Sequence, residues 1–267
     1  MRPWQTLAAH LAQAPAVLVR VDEVQGSAPR EVGAWMAVTA TELIGTIGGG
    51  QLEFEAQAKA RAALAAGGGV DVRQRVALGP SLGQCCGGVV WLCFEWLDAS
   101  AIDTLAERLG AQSNWRPIAL FGGGHVGRAM VELLGRLPVQ VHWIDSRDGV
   151  FPAPMPDNVR SEHSEPVQGA VSSLAAGARV LIMSFSHAED LDILAACLKR
   201  QREHGDLPFI GLIGSKSKWA TFQHRLEARG FSAQELAQVT CPIGIPGISG
   251  KQPEVVALAA VAQLMLG

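Results

Sequence analysis

The 267-residue sequence contains no tyrosine. Short-chain dehydrogenases, a large class of dinucleotide-fold enzymes, relay a proton through a Tyr-Lys pair, so that chemistry is excluded. Charged residues are scarce, 18% against 48% apolar, a balance that suits a buried core and excludes a disordered chain. A net charge of −3 leaves no basic surplus, so neither nucleic acid nor an anionic membrane is expected as partner. Long hydrophobic runs are missing too. The longest, near 255–266, is too short for an ordinary membrane span and is broken by Gln263. No apolar signal core stands within residues 1–10, so no secretory signal is expected. The five cysteines are odd in number and lack framework spacing, which points to a reducing, cytoplasmic compartment.

The most informative segment present is PIALFGGGHVGRAMVELLGRLPVQVHWIDSR, from Pro117. An apolar strand at 118–121 runs into a match to G-x-G-x-x-G formed by Gly122, Gly124 and Gly127, with His125 inside it. A helical run follows, and a second apolar strand closes on Asp145, the acid expected about 20 residues on in a dinucleotide-binding unit. Each glycine has a mechanical reason. Gly122 permits the tight turn, Gly124 lets backbone approach a phosphate, and Gly127 lets helix and strand pack closely. The helix N-terminus offers free N–H groups to an anion. The pattern predicts a ligand carrying phosphate; it does not name the ligand or imply hydride transfer.

From 117 onward strands and helices alternate, with strands expected at 179–185 and 208–213. This implies an α/β fold with a doubly wound, Rossmann-like parallel sheet and ligands outside the strand C-termini. Before it lies a smaller α+β region. Strands are expected at 16–24, 34–39, 42–47, 72–78 and 89–95, with an Ala-rich helix after Gly50 that Gly67 would stop. Ser100 with Asp103, and Ser232 with Glu235, read as helix-starting caps. The domains are expected to be 1–113 and 114–267. The final helix is apolar nearly all round and must be buried by its own domain or by another subunit.

Three clusters fall at expected strand ends. In GTIGGGQLE, Gly48, Gly49 and Gly50 can cradle phosphate, with Gln51 and Glu53 in the opening helical turn; Glu53 opposes an anion unless it binds a donor, and the competing reading is a tight turn capped by that carboxylate. In LGQCCGG, Gln84 precedes adjacent Cys85 and Cys86. Without C-x-x-C or histidine spacing they do not form a zinc site, yet a thiolate suits a soft transition metal; alternatively they are a pair of small buried residues. The third group comprises His187 and Asp192 in SFSHAEDLD and Ser215 and Lys216 in GLIGSKSK, a ready anion site at a helix start. Asp145 would bind a diol or an amine-rich ring edge, and Arg147 would balance it or meet a phosphate.

Together the stretches GSAPREVGAWMAV, GTIGGGQLE, LGQCCGG, FGGGHVG, WIDSR, SHAEDLD, GLIGSKSKW and CPIGIPGISGKQPEVVAL resemble the XdhC/CoxI family, most closely its XdhC branch, over nearly the whole chain. Its members are accessory proteins of molybdenum hydroxylases. The resemblance implies a small N-terminal domain followed by a Rossmann domain, usually in a homodimer. It also implies binding of the molybdenum cofactor in its molybdopterin form, retention while a cysteine desulfurase installs the sulfido ligand, and delivery to apo-xanthine dehydrogenase. The two glycine loops would then hold phosphate, Asp145 the pterin edge, and Cys85 or Cys86 the metal. Glu189 stands where the family pattern carries a second histidine, so His187 and Asp192 are the residues carried over. As a carrier the chain needs no catalytic residue. The main rival reading is an NAD-binding oxidoreductase, supported by the fingerprint and Asp145, with His187 as the one plausible proton carrier. A second rival is a docking protein whose Rossmann half has lost its ligand.

Overall fold

Alternating apolar residues in the valine-rich stretch Ala16–Gln25 make it strand β1, the centre of an antiparallel sheet. It pairs with β2 (Trp35–Val38) and β5 (Val89–Leu97), while β3 (Leu43–Gly45) and β4 (Val72–Ala77) form the edges, in the order β3-β2-β1-β5-β4. One face takes α2 (Gly50–Ala66), which buries Leu52, Ala56, Ala60 and Ala63 against Val17, Val19, Val21 and Phe94. Gly67 stops that helix in the left-handed conformation at φ 76°, the position glycine occupies without strain. The other face packs Ala16, Leu18 and Leu97 against α1 (Pro3–Leu11) and α3 (Ile102–Leu109). The cap before α3 differs from expectation. Asp98, not Ser100, starts a 3-10 turn at Ala99–Ala101 by accepting from the Ser100 N–H, because the chain enters this helix through a tighter turn.

The computed structural model describes residues 2–68, 72–79, 87–109 and 115–266 and divides into two units, 1–111 and 112–267. The second unit alternates strands and helices: β6 (Arg116–Phe121), α4 (His125–Leu134), β7 (Val139–Asp145), β8 (Val159–His163), β9 (Arg179–Ile182), α5 (His187–His204), β10 (Phe209–Leu212), α6 (Lys216–Ala228), α7 (Ala233–Leu236), β11 (Val239–Thr240) and α8 (Pro253–Met265). All strand pairs are parallel, in the order β11-β10-β9-β6-β7-β8. Numbered within this unit, that is third-second-first beside fourth-fifth-sixth, the order of dinucleotide-binding sheets, with the direction of winding reversing between β6 and β9.

Helices cover both faces. On one, Ile118, Leu120, Val141 and Trp143 pack against α4 and α8; on the other, Ala119, Phe121, Val180 and Ile182 pack against α5, α6 and a 3-10 helix at Val167–Ser173. The last helix is buried by its own unit through Ala257, Ala260, Val261 and Leu264, although Leu258 stays exposed. Arg116 and Arg179, which begin β6 and β9, donate to the closing carbonyls of α8 at Leu264, Met265 and Leu266. Among the described residues no helix is long and apolar enough to cross a membrane.

Candidate functional site

The loop after β6 is shaped by what its glycines exclude. Gly122 sits at φ 125°, and a Cβ there would lie 2.1 Å from the Met183 carbonyl oxygen. A Cβ on Gly127 would lie 2.0 Å from the Gly122 carbonyl oxygen, which already accepts from the Trp143 indole N–H at 2.9 Å. These two positions are closed by backbone and take nothing larger than hydrogen. Gly124 is different. It caps α4 with no side chain over the helix end, its φ of −73° is ordinary, and a Cβ would meet nothing within 4 Å. Gly124 and His125 are both exposed, so the N-terminus of α4 opens to solvent at the strand ends. Free N–H groups and the helix dipole favour an anion at that spot.

Asp145, at the end of β7, is 2% exposed and receives four hydrogen bonds. The Gly123 N–H donates at 2.5 Å, while the Arg147 N–H, Nε and Nη2 each donate at 2.9 Å. Burial by itself would raise this carboxyl, but the hydrogen bonds from Arg147 and Gly123 and the guanidinium charge outweigh it and hold the group below its ordinary value. Of the two roles expected for Arg147, balancing Asp145 is the one the geometry shows.

Two contacts that the sequence did not disclose join the strands on either side of β6. The Ser146 hydroxyl, after β7, donates to Glu189 Oε1 at 2.7 Å, at the start of α5. The Arg147 guanidinium lies 4.7 Å from the ring centre of Phe185, after β9. Phe185 was expected inside a strand; it is instead a loop residue with 65% of its surface exposed. The second oxygen of Glu189 accepts from the Phe185 N–H at 3.1 Å. No local pattern announces such pairs, because their members lie 43 or 38 residues apart; only the strand order brings them together.

The other expected residues are placed as follows. His187 is the exposed first residue of α5, edge-on to Phe222 at 6.1 Å. Asp192 accepts from Arg229 at 2.7 Å, at the opposite end of α6 from Ser215 and Lys216. Ser215 caps α6 by accepting from the Lys218 N–H, and Lys216 is exposed. Behind them lies a buried pair: Lys218 Nζ donates to Asp190 at 2.7 Å and to the Ile213 carbonyl at 2.8 Å, and Asp190 also accepts from the Ser184 N–H and hydroxyl. In the N-terminal unit, one oxygen of Glu53 accepts from the Thr46 hydroxyl at 2.5 Å, the Ile47 N–H at 3.0 Å and the Gly49 N–H at 3.1 Å. The loop through Gly48 and Gly50 thus already encloses a carboxylate, and Gln51 bonds to Glu55. Gln84, Cys85 and Cys86 lie outside the described residues. Among the described residues no group of three or more His, Cys, Asp or Glu is placed to hold a metal.

Residues 118–264, which carry this site, match the model of the XdhC Rossmann domain, and residues 9–75 match the model of the XdhC and CoxI family. The chain belongs to the XdhC and CoxI family. Within it, the open cap at Gly124 and the Asp145–Arg147 pair both fall inside the matched Rossmann domain. The chain is similar to the uncharacterized protein YqeB of Escherichia coli (strain K12), at 22% identity over 254 residues. That match covers 94% of this chain and 43% of the relative, so the chain spans under half the relative's length. It is also similar in fold to a solved Bacillus halodurans protein named as a xanthine dehydrogenase, at 18% identity and a TM-score of 0.74, covering 99% of this chain and 95% of that one.

Proposed function

We propose that this chain is a non-enzymatic accessory protein that binds the molybdenum cofactor in its molybdopterin form and passes it to apo-xanthine dehydrogenase. In this reading a cysteine desulfurase completes the cofactor while it is held, and the carrier works as a cytoplasmic homodimer with domains at 1–113 and 114–267. One observation supports the proposal: the XdhC Rossmann domain presents a glycine-capped helix N-terminus at its strand ends, with no side-chain cap and open space around Gly124, the kind of end that favours a phosphate. The residues present suit the phosphate end of the cofactor. Gly122 and Gly127 fix the loop, Gly124 and His125 receive the phosphate, and His187, Ser215 and Lys216 stand at neighbouring strand ends.

When bound, the cofactor supplies the molybdenum centre that the recipient enzyme uses; this chain's part is to bind, orient and release it. Asp145 and Arg147 brace the loop through the Gly123 N–H. The assignment of Cys85 and Cys86 as thiolate ligands, and of Gln84, Gln51, Glu53 and Asp192 as further contacts, rests on the sequence pattern. Variants Cys85→Ala and Cys86→Ala that both retain wild-type molybdenum would end the thiolate assignment.

The decisive experiment is expression in a host that makes the cofactor, followed by metal quantification and oxidative release of the fluorescent pterin. Near-stoichiometric pterin with molybdenum is expected. A folded sample with neither would move the function to the NAD-binding or pure docking alternatives, which saturable NADH binding would tell apart.

A further inference from the structure

The glycine fingerprint invites a nucleotide, yet the acid that normally receives the ribose is already occupied. In a dinucleotide-binding unit the carboxylate closing the second strand accepts hydrogen bonds from the ribose hydroxyls. A carboxylate offers about four acceptor positions. At Asp145 the Gly123 N–H and three donors of Arg147 account for four hydrogen bonds, on a side chain that is 1% exposed. A diol can enter only by displacing Arg147.

The path of an extended dinucleotide is obstructed as well. Such a ligand runs from the end of the second strand, across the glycine loop, to the fourth. Here the corresponding strands β7 and β9 flank β6, and their ends are tied by the Arg147–Phe185 stack at 4.7 Å and the Ser146–Glu189 hydrogen bond at 2.7 Å. Both ties span the end of β6, where the middle of the dinucleotide would lie. The helix N-terminus at Gly124 remains open on the same loop.

We infer that Arg147 is the specificity-determining residue of this domain: it occupies Asp145 and bridges to Phe185, so the site refuses ligands that present a ribose 2′,3′-diol. The inference rests on reading the 122–127 loop as a ligand site, and it makes removal of Arg147 a gain-of-binding change. The test uses the full chain, with ADP-ribose followed by calorimetry and NADH followed by fluorescence. The wild-type protein is expected to show no saturable binding of either across the titrated range, while Arg147→Ala binds ADP-ribose saturably, at least about tenfold more tightly than the limit the wild-type titration sets. Asp145→Asn on the Arg147→Ala background is expected to reverse the gain.

Circular dichroism establishes that each variant is folded. Should Arg147→Ala not fold, Arg147→Met keeps an apolar stem against Phe185 and carries the same expectation. Wild-type protein that binds ADP-ribose as well as the variants do, or folded variants that bind it no better than wild type, would overturn the inference. The probes contain no pterin, so the outcome is separable from that of the carrier proposal. A chain that holds pterin but whose variants gain no ADP-ribose keeps the carrier reading and loses this one. The reverse pattern keeps Arg147 as the barrier and removes the pterin.

Discussion

Three glycines within six positions do three different things, and substitution should separate them. Gly127→Ala and Gly122→Ala drive a methyl group to about 2 Å from carbonyl oxygens of Gly122 and Met183, far inside contact distance. We expect each to cost more than the 1–3 kcal/mol typical of an overpacked core, read as a large drop in melting temperature. Gly124→Ala meets open space at a permitted φ, so its melting temperature should stay close to wild type while retained pterin falls. A second residue-scale prediction concerns pH. His142 is 6% exposed between Arg160, which reaches Nδ1 at 2.8 Å, and Glu162, 2.7 Å from Nε2. A guanidinium can only donate, so the ring is neutral at Nδ1 and its proton sits on Nε2, facing Glu162. Burial and the Arg160 charge lower its affinity for a proton, against the pull of Glu162. The unfolded chain therefore binds more protons than the folded one below the ordinary histidine value of about 6.5. Stability should fall as pH drops through that value, and denaturant midpoints from pH 8 to 5 should show a slope that His142→Phe reduces.

Among elements, legibility followed burial. The segments β6, α4 and β7, with their glycines and Asp145, could be read directly because a parallel strand buried on both faces is a continuous apolar run. The Gly67 stop and the Ser232–Glu235 cap were equally plain. Three pieces were not. Strand β8 lies at the sheet edge and carries Arg160, Ser161, Glu162 and His163, so it shows no apolar alternation and looks like loop. Strand β11 is two residues long, too short for any period. The strand expected to reach 185 stops at Ile182, because Ser184 turns its N–H to Asp190 instead of continuing the ladder. That turn belongs to the Lys218–Asp190 pair, which ties α6 to α5 with side chains 12% and 3% exposed. Lys218→Met alone leaves a buried carboxylate without its cation and should cost about 3–5 kcal/mol. Adding Asp190→Asn should recover part of that loss, and urea titrations of the single and double variants measure the coupling.

At the scale of the whole molecule, thiol chemistry tests the packing of the second unit, which holds Cys197 and Cys241. Cys197 is fully buried and its thiol is pushed up to about 12, while burial also raises Cys241. A thiol titration at pH 8 should leave Cys197 unmodified in native buffer, whereas all five cysteines should react in guanidinium. Five fast-reacting thiols in the native protein would contradict the packing of α5 against β9 and β10. The anchoring of α8 has a practical consequence of its own. Its closing carbonyls are held by Arg116 and Arg179, the first residues of strands whose other ends carry the glycine loop and Ser184. A linker attached after this helix leaves from the end where these strands begin, opposite the end that carries the glycine loop. Immobilisation through such a linker would therefore attach this unit by the end remote from Gly122, Gly124 and Asp145.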